Sequence, residues 1–220
     1  MQSLLELGRL ETLETAAEAF KACIQSRNFF EPEAFTLWCR HILIDHPAKQ
    51  ALVLPPGTII EGDLSLDGIA DDPIANSIGT VLALGDLTIK GRVLNTSSES
   101  GDFLLVGGDL RTDVLIKGAA NIVVLGSLTA DKAIFCDFCG GALVTGGDLK
   151  TPLIVSNDHE LSVGGSFTGL MVSGELGNMR ETLVTGVFAD PDDPDDEWPD
   201  GELIREHLEA GVPLLKSGSA

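Results

Sequence analysis

Apolar residues recur at helical spacing over the first stretch of the chain: Leu4, Leu5, Leu7, Leu10, Leu13, Ala16, Ala17, Phe20, Ala22, Cys23 and Ile24. That period predicts an amphipathic helix with Glu11, Glu14 and Glu18 on its polar side. Asn28 and Pro32 break the pattern, and Pro32 suits the first turn of a second helix. Ala34, Phe35, Trp38, Cys39, Ile42 and Leu43 give that helix an apolar face, and His46-Pro47 ends it. Residues 1–50 are expected to fold as a helical N-terminal cap.

From residue 51 to residue 188 the helical period is gone and a repeat replaces it. TIIEGDLSLDG (58–68), LALGDLTIKGRVLN (82–95), LLVGGDLRTDVLIKG (104–118), VVLGSLTADKAIF (123–135), LVTGGDLKTPLIVS (143–156) and LSVGGSFTGLMVSG (161–174) share one form. Each runs apolar-x-Gly, then Asp or Ser, an apolar anchor and a second apolar stretch. LVTGVF (183–188) reads as a shorter seventh copy. The anchors Leu64, Leu87, Leu110, Leu128, Leu149, Phe167 and Phe188 are spaced by 23, 23, 18, 21, 18 and 21 residues. A period near 20 residues, in short β-branched segments bounded by glycine, predicts a β-solenoid. The fold class is therefore mainly β: a β-helix of about six to seven rungs. Corner glycines are expected to supply positive φ. The stretches 68–79 and 95–102 become loops, and terminal segments must blunt the two open ends.

Residues 189–220 change character again. ADPDDPDDEWPDGE (189–202) holds eight acidic residues, three prolines and one Trp, and predicts neither helix nor strand. ELIREHLEAG (202–211) predicts a short amphipathic C-terminal helix, with Leu203, Ile204 and Leu208 inward and Gly211 as its stop. VPLL (212–215) is apolar enough to dock.

Charge narrows the function. The 220 residues carry 34 Asp and Glu against 14 Lys and Arg, a formal charge of −20. Residues 187–220 alone contribute −8 of it. Binding to phosphate backbones needs clustered Lys and Arg, so direct contact with nucleic acid is excluded, and an anionic membrane would repel the chain. A basic protein partner would be attracted. Aromatics are only 5% and Tyr is absent, which also argues against base-stacking platforms. No apolar run approaches the roughly 20 residues of a membrane helix. The start lacks a basic n-region and carries Glu6, unlike a secretory signal. Four cysteines make no disulfide framework, so a cytoplasmic protein with reduced thiols is expected.

Candidate chemistry is sparse. Cys136-x-x-Cys139 has zinc or redox spacing but no second ligand pair, and reads as two small side chains at a corner. His159 is a lone histidine in a loop, better read as hydrogen-bonded than catalytic. Asp63, Asp86, Asp109 and Asp148 recur after glycine, where a carboxylate can accept backbone N–H groups at a turn. There is no GxSxG, P-loop, HExxH or dinucleotide fingerprint, so no enzyme and no cofactor are expected. The candidate partner-binding residues are Asp190, Asp192, Asp193, Asp195, Asp196, Glu197 and Trp198. Acidic groups steer a basic partner, and an aromatic among them is a typical interface anchor.

Over residues 58–190 the GDL rungs resemble a family of bacterial β-solenoid proteins, bactofilin-like or acting as immunity partners of polymorphic toxins. The segment Asn157-Asp158-His159 matches an acidic-His step in that family. Residues 136–141 depart from its tyrosine-rich loop. The resemblance implies a non-enzymatic binding protein that neutralises a basic toxin domain, or alternatively a bactofilin-like structural polymer.

Overall fold

The structure, a computed structural model, describes residues 4–27, 49–67, 77–97, 102–137, 141–157, 159–193 and 198–217. After a 3-10 turn at Leu4–Glu6 come β1 (Arg9–Thr12) and α1 (Leu13–Arg27). The chain then alternates between two sheets. One contains β1, β2 (Gln50–Leu54), β5 (Ile78–Ala83), β7 (Phe103–Val106), β9 (Ile122–Val124), β11 (Ala142–Thr145) and β13 (Glu160–Val163), in that spatial order. The other runs β3 (Thr58–Ile60), β6 (Leu87–Leu94), β8 (Leu110–Lys117), β10 (Leu128–Cys136), β12 (Leu149–Ser156) and β14 (Phe167–Ser173), with β4 (Leu64–Ser65) also on β6. All pairings are parallel except β1 on β2. Successive strands in opposite sheets with parallel neighbours make a β-solenoid.

The repeat has a direct physical meaning. Leu87, Leu110, Leu128, Leu149 and Phe167 are register partners, coil upon coil. A second column stacks Val93, Leu115, Ile134, Ile154 and Met171. Apart from Phe167, both columns pack in the space between the sheets. Burying each such side chain contributes about 1.5–3 kcal/mol. Between the columns every long strand shifts register, which turns the corner of the coil.

The strands are apolar on both faces because both outer faces are covered. Leu13, Ala16, Phe20 and Ile24 lay α1 along the outside of the first sheet, against Val53, Leu82, Phe103, Leu105 and Val123. The outside of the second sheet offers Val114, Ile116, Phe135, Leu153 and Val155. There it meets Met179, Leu183, Val187, Phe188, Ile204 and Leu214 from α2 (Met179–Thr182), α3 (Gly201–Ala210) and their connections.

Several expectations change. Residues 9–12 are a strand, not helix, and this antiparallel strand covers the edge of β2. α1 lies on a flank of the solenoid, and the second predicted helix lies outside the described residues. The copy at 58–68 is out of phase: Leu64 pairs with Val93, and Thr58 is the partner of Leu87. LVTGVF is no rung but a turn of 3-10 helix at Thr185–Val187 on the second flank. Gly62 supplies the expected positive φ, at 105°, but Gly108, Gly126, Gly147 and Gly165 do not. These four are required by close approach instead: a Cβ on Gly126 would overlap the Asp109 carboxylate and lie 2.7 Å from the Gly108 carbonyl oxygen.

Candidate functional site

The predicted binding run follows the last coil and leads into α3. Its beginning is organised by one cation. Arg180, from α2, lies 4.8 Å from the ring centre of buried Phe188, a cation–π contact. Its guanidinium donates to the carbonyl oxygens of Asp190 (3.0 Å), Pro191 (3.2 Å) and Asp193. Main-chain carbonyls occupy the guanidinium donors, and the chain around them is exposed at Asp190, Asp192 and Asp193. The turn is tightened by Asp193 N–H donating to the Asp190 carbonyl and Asp192 N–H to the Asp190 carboxylate. Asp195, Asp196 and Glu197 lie outside the described residues.

Trp198 is half exposed (48%), and its ring packs over Gly174, where even a methyl group would overlap it. The side chain thus holds the segment to the end of β14 while presenting ring surface to solvent. Next, the Asp200 carboxylate accepts from Glu202 N–H (2.8 Å) and Leu203 N–H (3.2 Å), capping α3. Gly211, at φ 67°, ends α3 where the sequence places the stop. Arg205 pairs with Asp137 at 3.1 Å, tying α3 to the coil beyond β10. Leu183 bridges to Leu215, and Lys216 Nζ donates to the Arg180 carbonyl at 2.5 Å. The acidic run therefore starts from a fixed frame.

Electrostatics favour a negative field. Arg9, Lys21, Lys49, Lys90, Arg92, Arg111, Lys132 and Arg205 each lie within ion-pair distance of an Asp or Glu of this chain. Exposed pairs of this kind stabilise the fold by at most about 1 kcal/mol. They do, however, occupy the few cations with local partners in a chain of −20. The Arg92 guanidinium, hydrogen-bonded to Asp63, holds that carboxyl below the usual range.

The repeated acids form an inter-coil ladder. The Asp86 carboxylate accepts from Asp109 N–H, the Asp109 carboxylate from Ser127 N–H, and the Asp148 carboxylate from Ser166 N–H, each at 2.8 Å. Ser127 Oγ accepts from Asp148 N–H at 3.1 Å. Asp63 sits outside this ladder and serves Arg92.

The other candidates are embedded in the fold. Cys136 is fully buried on the inner face, and Cys139 is outside the described residues. Among the described residues no three His, Cys, Asp or Glu side chains gather as metal ligands. His159 Nδ1 lies 3.1 Å from the Asp137 carbonyl oxygen, and its Nε2 is buried without a hydrogen-bond partner. Burial, then the nearby Lys117 charge, pushes its pKa down to about 4. The imidazole is neutral and weakly basic at pH 7. Lys117 is fully buried and donates to the Gly118 carbonyl at 3.0 Å.

Sequence reasoning missed Arg180 as the organiser of the acidic turn. Its signal is visible in retrospect: a lone cation preceding a run of acids by ten residues. Asn178, which closes part of the last coil, left no signal.

Fold and flanks define a β-solenoid repeat protein with both outer faces covered. Compared with family models, curated proteins and solved structures, the chain matches none. Among the described residues no helix is long and apolar enough to cross a membrane.

Proposed function

We propose that this chain is a non-catalytic binding protein of the bacterial immunity type, acting in the cytosol to neutralise a basic toxin domain. The observation that carries the reading is the frame around Arg180: it gathers the main chain at Asp190, Pro191 and Asp193, beside a half-exposed Trp198. An acidic loop with an anchored aromatic suits a basic cleft, such as that of an enzyme acting on nucleic acid. Long-range attraction from −20 speeds the encounter, and ring burial supplies the holding contact. The same flank carries Glu202, Glu206 and Glu209 on α3, extending the negative surface.

The test is capture of partners from the native cell on the tagged chain at moderate salt, read by mass spectrometry. One stoichiometric basic protein, released by high salt, is expected. The variant with Asp190, Asp192, Asp193, Asp195 and Asp196 replaced by Asn weakens that binding at least about tenfold, with the melting temperature unchanged. Equal affinity of the variant would reduce the run to a linker.

A further inference from the structure

The first and last coils of the solenoid are treated differently. At the first coil, β1 covers the edge of β2, running antiparallel with Arg9 opposite Val53 and Thr12 opposite Gln50. Pro55 and Pro56 precede β3, and the Lys90–Glu61 and Arg92–Asp63 pairs flank it. Proline, charge and a covering strand are devices that prevent edge pairing.

The last coil has little of this. β13 and β14 end their sheets, and among the described residues no strand pairs with their outer edges. Leu161, Val163 and Met171 are only partly buried. Phe167 is 36% exposed, whereas its register partner Leu149 is fully buried. One stretch of the edge is sealed. Asn178 Oδ1 accepts from Ser173 N–H and its Nδ2 donates to the Met171 carbonyl, both at 3.1 Å, so its amide imitates a neighbouring strand. Trp198 covers Gly174 beside it. The open stretch is thus bounded, at residues 160–169.

Its chemistry selects the occupant. Residues 160–174 contain one charged side chain, Glu160, whereas the coil at 103–118 contains four. A partner recruited by charge finds little to hold here. A second copy of this chain meets its own apolar column, glycines and hydroxyls, over a stretch that holds a single charged residue. We propose that the last coil docks a second copy of this chain, the two coils pairing antiparallel about a two-fold axis so that the solenoids join tail to tail. A two-fold contact is self-complementary and closes. At the first coil β1 covers the edge of β2, and prolines and ion pairs flank β3, which ends the second sheet; these devices oppose head-to-tail growth, so the assembly stops at a dimer. This inference stands apart from the toxin-binding reading, because it uses none of the acidic run.

Sedimentation velocity on the full chain across a micromolar concentration series tests it. The species expected has twice the 23.2 kDa mass of one chain, with nothing larger. Phe167→Lys weakens dimerisation at least about tenfold, with an unchanged circular dichroism spectrum. A second variant keeps the test open if that one misfolds. Thr168→Cys, treated with a short bismaleimide and mapped by peptide mass, links residue 168 to residue 168, whereas Ile59→Cys at the first coil gives no such 59–59 link. A monomer at every concentration, continuous growth into larger species, or a dimer indifferent to Phe167→Lys and unlinked through residue 168 would each overturn the proposal.

Discussion

Leu128 and Phe167 hold the same register position in the solenoid, one in a middle coil and one in the last. Leu128 has a coil on each side and no exposed surface; Phe167 has a coil on one side and keeps 36% of its surface in water. The difference shows how this fold is held together. Each coil gains stability from the neighbours it stacks on, so the sum is one of near-neighbour terms. A terminal coil loses one of those terms unless something covers it.

The widest gap is expected from truncating the two anchors. Leu128→Ala leaves a cavity bounded by Leu110 and Leu149 and costs about 2–5 kcal/mol in urea unfolding. Phe167→Ala, at dilutions where the chain is monomeric, costs under about 1 kcal/mol, because its outer side has no packing to lose. Equal costs would mean that the last coil is as enclosed as the middle.

Asn178 gives a smaller and more local effect. Asn178→Ala leaves Ser173 N–H and the Met171 carbonyl without their amide partner, a loss of about 1–2 kcal/mol. Amide exchange at 171–173 should rise to the rate of 160–169, while β8 and β10 stay protected. Asn178→Asp keeps the acceptor for Ser173 N–H and restores part of the protection.

The last effect is spread over a pH window. His159 titrates near 4 in the folded chain against 6.5 in the unfolded one. Between those values the unfolded chain binds the proton and the folded chain does not, so stability falls as pH drops from 6.5 to 4 and is complete above 6.5. A melting series over that window should slope less in His159→Gln than in the parent. Identical slopes would mean that His159 is not held neutral beside Lys117.

The solenoid was legible because the anchor pattern reports stacking directly: Leu87, Leu110, Leu128, Leu149 and Phe167 do form one column. α3 was legible too, since its apolar spacing and Gly211 are local signals. The phase of residues 58–68 was misread because GDL at 62–64 imitates a corner that the chain makes elsewhere. LVTGVF imitates a rung in composition alone, and only the docking of Val187 and Phe188 on the second sheet shows its place. The flanks were hidden for a physical reason. Residues such as Val114 and Ile116 point outward, and apolar residues on both faces of a strand do not say which cover lies on which side. Gly62 has the conformational role expected of a corner glycine, whereas at Gly108, Gly126, Gly147 and Gly165 the preceding coil leaves no room for a Cβ, a contact that no local pattern reports. In the acidic run composition was readable, but the carbonyl-gathering role of Arg180 depends on a fold that sequence spacing does not encode.

The most direct test of the contrast between middle and last coils is hydrogen–deuterium exchange of the full chain at low and high concentration. Peptides covering 122–136 are predicted to stay protected throughout. Peptides covering 160–169 are predicted to exchange quickly on dilution and slow down as concentration rises. Protection of 160–169 that matches 122–136 at every concentration would contradict the account, because the last coil would then be closed within a single chain.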